Sequence, residues 1–269
     1  MNAFALAVVL AATAVPAVSA DRTEPLPKEL EGVGVDEKLD AQVPLDLEFT
    51  DDLGRKVTLR DFVRGDKPVV LTLNYYRCPM LCTLVLNGYI EGLKALDWYP
   101  GGEFTSVTVS IDPRELPTLA RAKKQNYLEE YGKPLADRGW PFLVGSAESV
   151  KRLTDAVGFR YTYDAQADQY AHAAVILVLT PEGRVSKYLY GVKFEPATLR
   201  LALVEASEGR IGSALDQLIL YCYHYDPSTG TYAPAALKIM RFGAILTTLV
   251  LAVVLGSFWA REFRRRSVA

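Results

Sequence analysis

Cysteine, histidine and methionine are scarce in this chain, with three, two and three residues among 269. So few thiols exclude a domain held together by a disulfide framework, and they leave only a handful of combinations from which a soft metal site could be built. Charge of neither sign is in excess: 30 Lys and Arg stand against 32 Asp and Glu, a formal net charge of −2. The last nine residues hold four Arg and one Glu, a local +3, so everything before them carries −5. That balance argues against nucleic acid or an anionic lipid surface as a partner. No internal repeat is present, which excludes a solenoid. Half of the residues are hydrophobic and 23% are charged, so the chain is not disordered and can bury one sizeable core.

Charged residues are missing altogether from two stretches. Residues 4–15 are apolar and small residues follow, with Val18-Ser19-Ala20 suiting cleavage by signal peptidase, so a signal peptide is expected over 1–20. The segment before that run carries no Lys or Arg, which leaves an uncleaved N-terminal anchor as the alternative. Residues 242–260 are uncharged and offer only Thr247, Thr248 and Ser257 as polar side chains, enough apolar length to cross ~30 Å of hydrocarbon. A transmembrane helix is expected there. Arg261, Arg264, Arg265 and Arg266 follow at once, so the positive-inside bias puts the tail 261–269 in the cytoplasm. The body then lies outside a bacterial cytoplasmic membrane, facing the periplasm or cell exterior.

Between these ends the pattern is that of an α/β domain. Residues 21–43, rich in Asp, Glu and Pro, read as an extended leader with little fixed structure. Residues 45–49 and 57–59 flank Asp51-Asp52-Leu53-Gly54, an N-terminal hairpin signal. Residues 68–76 form a continuous β-rich run suited to a central strand, and 79–96 carry apolar residues at helical spacing, with Pro79 at a first helical position. A strand over 104–111, helices over 116–131 and 148–157, and a short strand over 159–163 follow. A hairpin of 173–179 with 185–190 and a helix over 196–208 close the domain. This order predicts a thioredoxin-like mixed sheet flanked by helices over 44–208. Residues 209–241 form a connector that includes the tyrosine-rich stretch 221–234, expected to pack against something.

Chemistry concentrates at Cys78-Pro79-Met80-Leu81-Cys82, where the predicted central strand gives way to a helix. The start of that helix favours the thiolate of Cys78, and Cys82 follows one turn later, so both sulfurs can point outward together. Exported thiols oxidise unless they bind metal, are kept reduced or act as a redox couple. Two thiolates match Cu(I), and a neutral imidazole would complete a site that also accepts Cu(II). His172 is the candidate third ligand: it opens the strand 173–179 on the sheet edge that meets the cysteine turn in a thioredoxin-like plan. A structural disulfide between the cysteines, and a satisfied core or surface role for His172, are the alternatives. Met80 could add a weak thioether contact. Cys222 and His224, on one face if 221–225 is extended, could form a second copper site or simply pack in the connector.

Three segments in order make the chain resemble the Sco/SenC family of copper proteins, which assemble the binuclear copper centre of cytochrome c oxidase. They are N-Y-Y-R-C-P-M-L-C at 74–82, S-I-D-P-R at 110–114 and Y-A-H at 170–172 ahead of A-A-V-I-L-V-L-T-P-E-G. The resemblance spans about 44–208. It implies that Cys78, Cys82 and His172 bind copper and that Asp112 lies near the site as a supporting or partner-facing group. The implied function is a membrane-anchored metallochaperone, receiving copper from a donor protein and delivering it to the copper-bearing oxidase subunit. The rival reading is a thiol-disulfide oxidoreductase, with Cys78 and Cys82 as a redox pair that reduces that subunit's copper-binding cysteines. A peroxidase would need more support for one cysteine than Arg77 supplies. Two departures from the family pattern stand out: Met80, Leu81 and Thr83 around the second cysteine, and an anchor at the C-terminus rather than the N-terminus.

Overall fold

The computed structural model describes residues 32–78, 81–208, 223–226, 231–234, 245, 247–251 and 253–257, with the side chains of Leu81, Cys82 and 223–234 left out. The expected signal peptide, Pro79, Met80, Cys222 and the tail 261–269 lie outside the described residues.

Strands β1 (Gly34–Val35), β2 (Glu48–Asp51), β3 (Lys56–Thr58) and β4 (Val69–Asn74) lead into helix α1 (Leu81–Lys94). Then come β5 (Thr105–Ser110), α2 (Pro117–Tyr131), β6 (Phe142–Gly145), α3 (Ala147–Ala156), β7 (Phe159–Asp164) and β8 (Gln169–His172). Strands β9 (Val175–Leu179) and β10 (Val185–Tyr190), helix α4 (Pro196–Ala206) and the pair β11 (Tyr223–Asp226) and β12 (Thr231–Pro234) complete the order.

Seven strands form one mixed sheet in the order β10-β9-β4-β5-β6-β2-β3. β4, β5 and β6 run parallel, while β9 and β2 join them antiparallel, each bringing its own hairpin partner. All six residues of β4 are buried, as a strand covered on both faces requires. Alternation then sorts its side chains. Val70 and Tyr76 join the aromatic layer under α1, α2 and α4, with Tyr89, Trp140 and Phe142. Val69, Leu71, Leu73 and Tyr75 join the opposite layer, closed by Val150 and Leu153 of α3 and by Phe159. Helices therefore cover both faces, as the thioredoxin-like reading expects.

Helix α1 lies unusually close to the segment that follows β10. A Cβ on Gly88 would stand 2.0 Å from the carbonyl oxygen of Val192, and one on Gly92 would stand 2.7 Å from that of Phe194. The two glycines sit four residues apart and share a helix face, so backbone packs on backbone along that line. Buried hydroxyls in the same layer are paired, as in Tyr89 with Ser106 at 2.6 Å and Thr72 with Thr108 at 2.8 Å. Asn74 is the exception: its buried amide nitrogen and oxygen have no hydrogen-bond partner among the described residues.

Three expectations need correction, those for the leader, for β6 and for the strand that carries His172. The described part of the leader is extended but pinned: β1 pairs with β7, the Asp36 amide donates to the Gly158 carbonyl at 2.8 Å, and the amides of Asp40 and Val43 donate to the carbonyls of Val185 and Gly183. The short strand β6 carries no periodic signal, because only four residues separate Pro141 from Ser146, and the sequence reading omits it. His172 does not open β9; it ends the separate strand β8, which pairs with β7 in a second, three-stranded sheet. Of the expected span 242–260, only residues 245, 247–251 and 253–257 are described, and these are helical and exposed. No helix among the described residues is long and apolar enough to cross a membrane.

Candidate metal centre

Parallel pairing places Asn74 opposite Ser110, so β4 and β5 end at the same edge of the sheet. In open α/β sheets that carboxyl edge is where ligands gather. Past Asn74 the chain stays buried through Tyr75 and Tyr76, then turns, with the Cys78 amide donating to the Tyr75 carbonyl at 3.3 Å. The turn is held from below by Glu115, whose carboxylate accepts from the Tyr76 amide at 2.8 Å and the Arg77 amide at 2.7 Å. Ser110 donates to the same carboxylate at 2.6 Å. Burial pushes the Glu115 carboxyl up, although these three hydrogen bonds pull it back in part.

Cys78 lies in the bend between β4 and α1, three residues before the first described helical residue. The expectation of an outward-pointing thiol is corrected here: Cys78 is 7% exposed and packs in the α3-side layer with Tyr75 and Phe159. Cys82 is the second residue of α1, and its side chain lies outside the described residues.

His172 reaches this corner through aromatic packing. Its ring stands edge-on to Tyr75, centroids 6.2 Å apart, and lies 5.9 Å from Phe159. Tyr75 also meets Tyr170 edge-on at 5.5 Å, and Tyr170 and His172 share one face of β8 because they are two residues apart. Tyr75 is thus the joint between the cysteine turn, through its carbonyl, and the histidine strand, through its ring. His172 is 6% exposed, and its Nδ1 is 2.9 Å from the Ala173 carbonyl. A carbonyl oxygen only accepts, so this bond places a proton on Nδ1, and in the neutral ring the lone pair is then on Nε2. A carbonyl partner on the far nitrogen is the usual way in which a ligating imidazole is oriented.

Asp112 lies at the same corner, where the Tyr170 hydroxyl donates to its Oδ1 at 3.5 Å, and it is engaged by Arg114. Its two oxygens accept from Nε and Nη2 of Arg114 at 2.8 and 2.9 Å, and Oδ1 also accepts from the Arg114 amide at 2.9 Å. Burial pushes this carboxyl up, but the Arg114 hydrogen bonds and charge, with a contribution from Arg77, bring it net below the usual range. Arg114 continues across to Asp168 at 2.8 Å and the Tyr163 hydroxyl at 3.1 Å, and its guanidinium lies 4.9 Å from the Tyr163 ring centroid. The Tyr170 phenol is pushed up to about 12 by burial and by Asp112, which keeps it a protonated donor.

Sequence reasoning missed Tyr75, Arg114 and Glu115 as parts of this corner. The signals were present as Y-Y ahead of R-C and as an acid directly after D-P-R, but nothing local says what they touch. Among the described residues no group of three Cys, His, Asp or Glu side chains is gathered as a metal site, and Cys82 cannot enter that comparison. The donor types nonetheless suit copper: Cys78, through its amide, and the His172 ring each contact Tyr75, and a second cysteine belongs to the adjoining helical turn. His224 falls in β11, opposite Ala233, and its side chain is not among those described.

A family model described as SCO1/SenC matches residues 35–205. Two solved proteins of Aquifex aeolicus VF5, named as candidate electron transfer and electron transport proteins, are each 26% identical to this chain. The first has a TM-score of 0.56 and covers 64% of this chain and 95% of its own; the second has 0.52, with 64% and 99%. A ScoI of Arabidopsis thaliana solved with copper bound is 21% identical, with a TM-score of 0.47 over 60% of this chain and 96% of its own. No curated protein matches the sequence significantly.

Proposed function

The chain belongs to the SCO1/SenC family, and from that premise we propose that it is a membrane-anchored copper metallochaperone for the binuclear copper site of cytochrome c oxidase. Copper is its cargo, held by the sulfurs of Cys78 and Cys82 and by Nε2 of His172. The observation that carries this reading is the imidazole held proton-inward on the Ala173 carbonyl, at the corner where Tyr75 joins the cysteine turn. Thiolates supply the affinity for Cu(I), while the imidazole is the less soft ligand that lets the same site accept Cu(II). Release proceeds by ligand exchange with the copper-bearing oxidase subunit, and no covalent step on the protein is needed.

The uncharged stretch 242–260 is the proposed anchor, in keeping with the exposed helical apolar residues Leu249, Val253 and Leu255. It would hold the domain at the outer face of a bacterial cytoplasmic membrane, with the Arg-rich tail inside. A thiol-disulfide oxidoreductase is the second reading; it needs the cysteine pair but has no use for the oriented imidazole of His172.

The test is copper stoichiometry and Cu(I) affinity of the full chain in detergent, for wild type, Cys78→Ser, Cys82→Ser, His172→Ala and Cys222→Ser. One tight copper, weakened by each of the first three changes and kept in the last, is the expected result. Weak binding indifferent to His172→Ala, with the cysteine pair still cycling against a reductant, would instead favour the oxidoreductase.

A further inference from the structure

The two halves of the candidate site are carried by different sheets: Cys78 follows β4 of the main sheet, and His172 ends β8 of the three-stranded one. No hydrogen-bonded register joins β4 to β8 directly; besides Tyr75, the nearest strand link is β9, which pairs with β4 and starts three residues after His172. One short turn touches both. Residues 112–115 close on themselves through the Glu115 amide donating to the Asp112 carbonyl at 3.2 Å. From this turn, two consecutive side chains leave in different directions.

Glu115 takes the backbone amides of Tyr76 and Arg77, the two residues before Cys78. Arg114 takes Asp168 and Tyr163, at the turn end of the β7–β8 hairpin, and its guanidinium lies 5.9 Å from the centroid of Tyr170, two residues from His172. Asp112 fixes the guanidinium in a forked, two-bond geometry that a lysine ammonium could not reproduce. Ser110 and Asp112 tie the turn to the end of β5, which is itself paired with β4.

We propose that Arg114 and Glu115 are positioning residues which brace the candidate copper site, Glu115 setting the cysteine turn and Arg114 setting the histidine hairpin against one common support. The proposal rests on the copper-site reading above and adds to it the residues that fix the spacing of its ligands. Neither side chain is assigned contact with copper. Changing one of them therefore loosens one half of the site and leaves the other in place, which a general loss of stability would not do.

The experiment compares wild type with Glu115→Gln, Arg114→Ala and Arg114→Lys in the full chain in detergent. Amide hydrogen exchange is read without metal; thiolate-to-copper absorption, nitrogen hyperfine coupling and affinity are read with Cu(II). Glu115→Gln turns an amide NH2 toward backbone donors, so it should speed exchange at Tyr76 and Arg77 and shift the thiolate absorption while keeping the histidine coupling. Arg114→Ala should speed exchange across 161–172 and weaken the histidine coupling while keeping the thiolate absorption, and Arg114→Lys should fail to restore it. Each change should weaken copper by about 10- to 100-fold, as for other groups that orient metal ligands. Spectra and affinity like those of wild type in both Glu115→Gln and Arg114→Ala, or exchange raised evenly through β4, β5 and β9, would overturn the brace. If Cys78→Ser and His172→Ala leave copper binding unchanged, the functional reading falls. The metal-free exchange pattern then decides by itself whether Arg114 and Glu115 hold the two segments.

Discussion

Replacing Gly88 by alanine sets two effects of opposite sign against each other in the middle of α1. Helix propensity favours alanine over glycine by about 0.8–1.0 kcal/mol, so at an open position Gly88→Ala would stabilise the protein. The new methyl would stand 2.0 Å from the Val192 carbonyl oxygen, where ordinary contact begins at 3.4 Å, and the obstacle is backbone that no rotamer change can remove. Relief requires α1 and the segment after β10 to part by more than an ångström, and overpacking of that kind costs ~1–3 kcal/mol or more. The clash therefore wins, and a net loss of about 1–2 kcal/mol is expected. Gly92→Ala, whose methyl meets the Phe194 carbonyl at 2.7 Å, should lose less. Denaturant titration of the full chain in detergent checks this: the midpoint should fall with the slope unchanged, further for Gly88→Ala than for Gly92→Ala. A Gly88→Ala protein as stable as wild type, or more so, would refute the reasoning, because the segment at Val192 would then have yielded at no cost.

Asn74→Leu removes two buried amide atoms that have no partner among the described residues, so it should raise stability by roughly 1–3 kcal/mol. A lowered unfolding midpoint would show that the amide is satisfied after all. Asp112 has a folded pKa below its ordinary 3.8, so the stability it contributes is fully present above that value and lost as pH falls through the lower, folded one. In Arg114→Ala the carboxyl resonance of Asp112 should titrate at higher pH, and an unmoved titration would mean that Arg114 is not what holds it down. For His172, nitrogen–proton correlation spectra of the neutral ring should show the proton on Nδ1. A proton on Nε2 would count against that nitrogen as the copper ligand.

What the chain declares locally was legible. β4 reads as a continuous β-rich run, α2 as helical spacing behind Pro117, and the cysteine pair as a motif between a strand and a helix, because each depends on neighbours within a few residues. The resemblance to the Sco/SenC family likewise rests on short segments in order, and the family assignment agrees with it. Other features depend on partners far along the chain. The reach of Glu115 to Tyr76 crosses 39 positions and that of Arg114 to Asp168 crosses 54, so local periodicity carries no trace of either. The strand β6 exists because β5 and β2 offer it hydrogen bonds on both sides, not because its four residues insist on extension. The same holds for His172: composition and order nominated it, but only the pairing of β8 with β7 and the ring of Tyr75 decided which edge it faces and which nitrogen it presents. Sequence alone determined the reactive groups and the elements that carry them. Tertiary structure decided the burial of Cys78 and His172 and the partners of the segments that carry them, since those are properties of contacts that close only when distant segments meet.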